Sequence, residues 1–499
     1  MPGRPSFAAD APVVVVVGGG IAGLAAAVPL AERGARVVLL EREDYLGGRV
    51  GGWPTRLADG SPATMTRGFH AFFRQYYNLR DLLRRADPGG SALVGLPDYP
   101  LWHADGHRDG FAGLPTAVPW NALAFLVRSP TFRWRDLRDV AARAALPLLD
   151  VSVPRTYHEL DGLDAAEYLA RLRFPPAAHA LAFEVFSRSF FAHPTRMSAA
   201  ELVTMFHIYF LGSGEGLLFD VAADPFPHGM WDPLGRRLVE LGASVRTGVE
   251  VSHVTRGGSR RFTVHTATGG VDADAVVLAA DVRGLRGIVA DSPDLGDARW
   301  RADIARLETA PPFLVSRYWL DRPVAPDRPG FVGTSGYGPL DNISVLDRYE
   351  HEARAWAART GGSVVELHGY SLPSDVDADV TRKSLWEQLH AVYPETRAAG
   401  VVDERHELRA DCPLFPPGSH PHRPRVTTPD PFLVLAGDLV RIDLPVALME
   451  RAATTGYAAA NHLLGRWGVA GTPIRAVPTA GRSPLLRAIA RRWGRNPVP

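Results

Sequence analysis

Three glycines and one acid near the start of the chain carry the spacing of a dinucleotide site. Gly18, Gly20 and Gly23 follow the β-branched run Val13–Val17, and a second apolar run, Arg36–Leu40, ends at Glu41. The first glycine permits a tight turn and the second lets the backbone approach a pyrophosphate. The third lets the following helix pack closely on a sheet. That helix offers unpaired N–H groups and partial positive charge to phosphate at its N-terminus. Glu41 lies 18 residues after Gly23, where an acid accepts hydrogen bonds from a ribose hydroxyl and would repel the 2′-phosphate of NADP. Far along the chain, Phe432–Asp438 reads as a strand ending in Gly437-Asp438, and Pro445 suits the start of a helix running to Leu464. A different kind of chemistry could come from His70, from Glu215 between Gly214 and Gly216, and from Asp220. These can move protons, but each also reads as a packing residue, a helix cap or a surface acid.

The elements that must position these residues suggest an α/β protein. The chain is uncharged from Ala11 to Ala31, long enough to imitate a membrane span. Its texture of β-branched run, glycines and small apolar stretch instead reads as buried strand, turn and helix. Pro29 should kink that helix or end it early. No obvious small-residue cleavage site follows, so neither a transmembrane helix nor an export signal is expected, and the location is expected to be cytoplasmic. The nucleotide pieces fall at 1–105, 225–295 and 405–475, which implies a discontinuous Rossmann-type domain. An inserted mixed α+β substrate domain would occupy 106–224 and 296–404. Within it, Ala165–Leu172, Ala177–Phe191, Ser198–Phe210 and Arg382–Val392 read as helical, and Phe313–Leu320 and Ser363–His368 as strands. Arg405–Thr428, rich in proline and histidine, reads as a loop.

Composition excludes several functions. With 55 basic against 54 acidic residues the net charge is +1, so no nucleic-acid partner is expected. The single cysteine, Cys412, excludes an intrachain disulfide and a thiolate-rich metal site, and no metal is expected. Lys383 is the only lysine, which matters for mechanism. The tail 476–499 is basic and amphipathic: between Arg482 and Arg495 five arginines flank Leu485, Leu486, Ile489 and Trp493 at helical spacing. It suits either the inner membrane surface or docking on its own domain. Phe125–Arg138, with Phe132 and Trp134, shares the pattern but fits a packed helix pair better.

After Glu41 come Arg42 and then Asp44-Tyr-Leu-Gly-Gly-Arg-Val50, a run that resembles the second motif of the FAD-containing amine oxidase and phytoene desaturase superfamily. The resemblance implies that Gly48 brings backbone to the cofactor, Arg49 neutralises pyrophosphate and Arg42 lies near adenine. It also implies that Val251 meets adenine through its backbone, and that Gly437 and Asp438 hold the ribityl chain. The helix start at Ala447, Leu448 and Met449 would face the pyrimidine edge of the flavin. Thr66-Arg-Gly-Phe-His-Ala-Phe-Phe-Arg-Gln-Tyr-Tyr77 resembles the flavin-side run of carotenoid desaturases. With Tyr209–Asp220 and the Gly437–Thr455 block, it is similar to bacterial isorenieratene synthases.

That resemblance implies desaturation of a β-ionone ring with methyl migration, FAD as cofactor, a hydrophobic small-molecule substrate and a quinone or oxygen as electron acceptor. Methyl migration passes through a carbocation, which needs a dry aromatic pocket and a group to take a proton. Phe69, Phe72, Phe73, Tyr76, Tyr77, Phe206, Tyr209, Phe210 and Phe219 are the candidate rings, and His70, Glu215 and Asp220 the candidate proton carriers. A flavin amine oxidase is the main alternative. Many such enzymes set a lysine against the flavin, yet the matching strand Phe313–Trp319 has none. Cys412 does not match the spacing of flavin-linked cysteines. A non-catalytic lipid carrier of the same fold is the third reading, and it has little use for an intact flavin site.

Overall fold

The computed structural model describes residues 3–8, 10–117, 120–130, 145–173, 190–215 and 217–493. Its nucleotide layer is a five-stranded parallel sheet in the order Ser244–Arg246, Arg36–Leu40, Val13–Val17, Ala275–Leu278, Leu433–Leu435. Its strands come from three widely separated stretches, so this unit is discontinuous. Val13–Val17 is central and buried on both faces, which is why it reads as an unbroken valine run rather than an alternating one.

The Ile21–Glu32 helix leaves the glycine turn and packs on the long Leu448–Arg466 helix. Contact there is so close that a Cβ on Gly456 would lie 2.4 Å from the Ala22 carbonyl oxygen. The helix continues through Pro29 to Glu32 instead of ending early. Only the last turn lies beyond the proline, and every residue from Ile21 to Ala31 is buried. Packing therefore outweighs the lost backbone bond.

The substrate layer is a seven-stranded mixed sheet in the order Val401–Arg409, Phe313–Leu320, Ser363–Gly369, Asn342–Val345, Phe331–Ser335, Leu101–His103, Arg108–Asp109. Two expectations shift here. Leu101–His103 and Val401–Arg409 hydrogen-bond into this sheet, so the boundaries near 105 and 405 move. The second segment was expected to begin a loop, because its charged sequence hides an edge strand, where such side chains meet water. A small sheet joins the two distant aromatic segments, with Phe72 opposite Asp220 and Phe73 opposite Phe219.

Ala165–Leu172 is a helix as expected, and Ala199–Phe206 continues as a wider turn through Leu211. The expected helix at Ala177 and the Phe132 and Trp134 positions lie outside the described residues. Among the described residues no helix is long and apolar enough to cross a membrane.

Candidate active site

One cavity of about 880 Å³ runs from the glycine turn to the seven-stranded sheet, at the upper end of ordinary ligand sites (about 300–1,000 Å³). Gly18, Gly20, Glu41, Arg42, Gly48, Arg49, Val251, Gly437, Asp438, Leu448 and Met449 all line it. Gly23 and Ala447 stand behind the wall. A Cβ on Gly23 would sit 1.9 Å from the Gly18 carbonyl oxygen, so glycine there is a packing requirement of the turn.

Gly18 has φ +106° and Gly48 φ +56°. Neither Gly18, where a Cβ would meet the Ala279 carbonyl oxygen at 2.5 Å, nor Gly48 has room for a side chain without strain. Gly20 and Gly48 face each other backbone to backbone, which leaves a side-chain-free slot where a pyrophosphate could lie. Two cations flank this slot. Arg49 pairs with Asp438 at 2.5 Å and Arg42 with Asp281 at 2.9 Å. Glu41 accepts from the Gly19 N–H at 2.5 Å and from the Glu43 N–H at 2.9 Å; burial raises its pKa against those two bonds. Leu448 begins its helix at φ +53°, a conformation costly for a branched side chain and retained at the cavity wall. This donor set suits a dinucleotide: backbone at the phosphates, guanidinium nearby and carboxylates for hydroxyl groups.

The other end of the cavity is made of rings. Phe69 stacks on Phe331 at 4.2 Å, and Phe219 meets both edge-on at 5.6 and 5.4 Å. Phe73, Tyr76 and Tyr99 extend the wall, and Phe191 bridges Phe313 and Tyr370 at 4.8 and 4.9 Å. Phe72, Tyr77, Phe206, Tyr209 and Phe210, also expected to face substrate, lie outside the lining. Phe72 is wholly buried behind it, and Tyr209 packs on Phe73 at 4.5 Å.

The three expected proton carriers separate. His70 lines the cavity and donates Nδ1–H to the Gly68 carbonyl at 2.9 Å; burial pulls its pKa down to about 4, so the ring is neutral at pH 7. Glu215 and Asp220 do not line the cavity. Glu215 accepts from the Tyr77 hydroxyl at 2.8 Å, and Asp220 is held by Arg80 at 2.6 Å, with Arg74 at 3.7 Å. Asp220 is opposite Phe72 in the small sheet, so its side chain leaves on the other face from Phe219. Cys412 does line the cavity beside Arg49, but burial pushes its thiol up to about 12, and it stays protonated.

Unforeseen polar groups also line the ring end: His368, Tyr370 and Asn342. The available signal was the alternation Glu366-x-His368-x-Tyr370, which puts three side chains on one face of a strand and its extension.

The flavin containing amine oxidoreductase family model matches residues 21–464. The chain is 61% identical over 490 residues to the carotenoid phi-ring synthase of Streptomyces griseus, covering 98% of this chain and 94% of that one. A carotenoid phi-ring synthase of Chlorobaculum tepidum is 27% identical over 587 residues, with 94% and 90% covered. Among solved structures, putrescine oxidase bound to putrescine superposes with a TM-score of 0.66 at 16% identity, covering 93% of this chain and all of that one. Reduced UDP-galactopyranose mutase gives 0.66 at 15%, covering 97% and 99%; these two likenesses speak to the fold alone. With a flavin-binding fold, a dinucleotide slot and a family match over most of its length, the chain belongs to the flavin containing amine oxidoreductases, and its cofactor is FAD.

Proposed function

We propose that this chain aromatises the end ring of a carotenoid, most directly β-carotene, by desaturation with migration of one methyl group. The observation that carries the reading is the continuity of the cavity: a dinucleotide slot opens without a break into a chamber walled by phenylalanine and tyrosine rings. In this reading Gly18, Gly20, Gly48 and Arg49 take the pyrophosphate, and Gly23 keeps the turn tight. Glu41 takes the adenosine ribose, while Arg42 and Val251 flank the adenine. Gly437 and Asp438 hold the ribityl chain, and Ala447, Leu448 and Met449 present a helix N-terminus to the flavin, where it favours negative charge. Loss of four hydrogens per ring is two two-electron oxidations, each the departure of one hydride and one proton. FAD supplies both by accepting the hydrides in turn, with a quinone or oxygen taking its electrons after each.

The chain's own residues do the rest. Phe69, Phe219 and Phe331 offer ring faces to a cation that forms on the substrate, worth about 0.5–2 kcal/mol each when desolvated. The same rings exclude the water that would trap it. His70, neutral and tied to Gly68, shapes the wall beside them.

An amine substrate is disfavoured. The Phe313–Leu320 strand presents no lysine to the cavity, and Lys383 is exposed on the Ala378–Val392 helix.

A carotenoid dissolves in membranes, and two helices present apolar faces to the outside. Trp120, Leu123 and Val127 are exposed on Trp120–Arg128, and Leu485, Ile489 and Trp493 on Pro484–Trp493. A Cβ added to Gly214 would lie 3.5 Å from both Arg482 Nη1 and the Thr116 carbonyl, residues just before the two helices. We assign this face to the cytoplasmic surface of the membrane.

The test is expression in a bacterium that makes β-carotene, followed by chromatography and mass spectrometry of the pigments. The expected product is lighter by four hydrogens per modified ring and shows aromatic methyl signals. An unchanged pigment profile from yellow, FAD-loaded protein would overturn the substrate reading and leave the fold and cofactor standing.

A further inference from the structure

Aromatisation with methyl migration has to end in loss of a proton, and the groups first expected to take it are not placed to do so. Glu215 and Asp220 stand outside the cavity, and His70 is a weak base whose Nδ1–H is committed to Gly68. Among the described residues no base is hydrogen-bonded to the hydroxyls of the tyrosines at 76 and 99; the Tyr76 hydroxyl meets that of Tyr209, at 3.1 Å. We propose, resting on the function argued above, that Tyr370 is the proton acceptor of this reaction, acting through a relay of His368 and Glu366.

The geometry is that of an oriented chain. Glu366 and His368 lie on the buried Ser363–Gly369 strand, and Tyr370 follows at its end, where it lines the ring chamber. Arg317 is fully enclosed. It holds Glu366 Oε2 at 2.7 Å through Nη2 and at 2.9 Å through Nε. Its remaining contacts go to the Thr64 carbonyl at 2.9 Å and the Thr66 hydroxyl at 2.7 Å, so it has no freedom to swing away. Burial alone would raise the Glu366 carboxyl, but Arg317 and His368 outweigh it and hold it down at about 2. Glu366 is therefore ionised.

An ionised Oε1 lies 2.8 Å from His368 Nε2, so Nε2 carries the proton. The Phe69 N–H is also 3.2 Å from Nε2, a contact that only the other tautomer would use; the nearer carboxylate decides between them. Nδ1 is left as an acceptor, and the Tyr370 hydroxyl donates to it at 2.7 Å. Asn342 Nδ2 donates to the Tyr370 oxygen at 3.0 Å, leaving that oxygen one unused lone pair.

The step closes the second of the ring's two oxidations: the first hydride and proton are gone, the second hydride has left the ring and the methyl group has moved. A ring C–H bond breaks, its electron pair becomes the new ring double bond, and the proton goes to Tyr370 Oη. The phenol's own proton passes in concert to His368 Nδ1. The resulting imidazolium is stabilised by Glu366 and returns its proton through Tyr370 to solvent. Tyr370 is thus the catalytic residue, and His368, Glu366 and Arg317 are positioning residues that make its oxygen basic for the moment it is needed.

The test uses FAD-loaded, full-length protein converting β-carotene with a quinone supplied to take the electrons of both oxidations, in water and in heavy water. Tyr370→Phe and His368→Gln should keep their flavin content and lose about 100-fold or more in aromatic product, the usual range for a general base. Wild type should slow in heavy water, because the phenol proton moves in the same step, and both variants should lose that sensitivity. A merely structural role would not move the solvent effect. Wild-type aromatisation matched by Tyr370→Phe at equal rate would overturn the relay and leave the proposed function intact. Absence of any aromatic pigment from wild type would overturn both.

Discussion

The dinucleotide end of the cavity is walled by backbone, the ring end by side chains, and the two tolerate change in opposite ways. At Gly18 and Gly23 nothing larger than hydrogen fits, because carbonyl groups already fill the space, and Gly48 holds a left-handed conformation with Gly20 Cα 3.2 Å from where a Cβ would lie. A methyl group added there pushes on covalent structure that cannot turn aside. At the ring end, Phe69, Phe219 and Phe331 meet only through stacked and edge-on contacts, and a smaller apolar group changes shape and field without colliding. The first end therefore fixes one cofactor, while the second can be reshaped to select a substrate.

A buried charge cluster stands behind the dinucleotide end, and breaking it carries the largest expected effect. Glu201, on the Ala199–Phe206 helix, accepts from Arg451 at 2.7 Å and also from Arg423, all three side chains being at most 5% exposed. Arg451 reaches on to the Asp438 and Val446 carbonyls, at 3.4 and 3.0 Å. Glu201→Gln strands two buried guanidinium groups, and the expected loss is about 3–5 kcal/mol in denaturant unfolding. Burial would raise the Glu201 carboxyl, but the two arginines hold it at about 2 against a usual 4.5. A depressed acid stabilises the folded state above its unfolded pKa. The contribution should be full above about pH 4.5 and fade as pH falls toward 2, a dependence the variant should lack.

Next comes the backbone wall. Gly23→Ala puts a methyl 1.9 Å from the Gly18 carbonyl oxygen. Overpacking of this kind costs about 1–3 kcal/mol. The expected result is protein purified with little flavin, read from the visible absorbance of the bound cofactor. Asp438→Ala and Glu41→Ala should also lower flavin content, with a smaller loss of stability, since each removes polar contacts but adds no clash. Full flavin content in Gly23→Ala would show that the turn can move, against the contrast drawn here.

The same contrast explains what was legible in the sequence. Glycine spacing states directly where backbone must come close, so the slot from Gly18 to Gly48 could be read in order, and so could the strand ending at Asp438. The ring chamber draws Phe69, Tyr99, Phe191, Phe219, Phe331 and Tyr370 from six separate segments. Which face each presents depends on register between strands that sequence does not pair. Glu215 looked suited to proton transfer because glycines flank it, yet flanking glycines do not fix the direction of a loop. The Glu366–His368–Tyr370 alternation was present, but alternation alone does not separate a cavity-facing side of a strand from an ordinary buried one.

A smaller effect should separate shape from stability at the ring end. Phe331→Leu removes one stacked and two edge-on partners, and aromatic pairs are worth about 0.5–1.5 kcal/mol beyond their buried area. Stability should fall by about that much. Flavin content should hold, while the product shifts toward ring-desaturated carotenoid that has not moved its methyl, since a cation with less ring around it loses a proton sooner. Equal loss of flavin and product would mean that the two ends are not separable in this way.

The smallest expected change is at the tail helix, where docking and membrane contact are both met. Arg491 bonds Asp150 at 2.8 and 3.2 Å and Ala490 is buried, so one side of Pro484–Trp493 rests on the protein. Leu485 and Trp493 remain 70% and 56% exposed on the other. A docked helix has no reason to keep Leu485, Ile489 and Trp493 outward unless something apolar covers them. Arg491→Ala should therefore cost at most about 1 kcal/mol of stability, as surface ion pairs do. Leu485→Ser with Trp493→Ser should leave stability unchanged and weaken sedimentation with vesicles of anionic lipid. Because the arginines beside that stripe meet the same surface, added salt should weaken wild-type binding as well. Vesicle binding that ignores both the double variant and the salt would place the membrane contact away from this helix and leave Trp120, Leu123 and Val127 as the next residues to change.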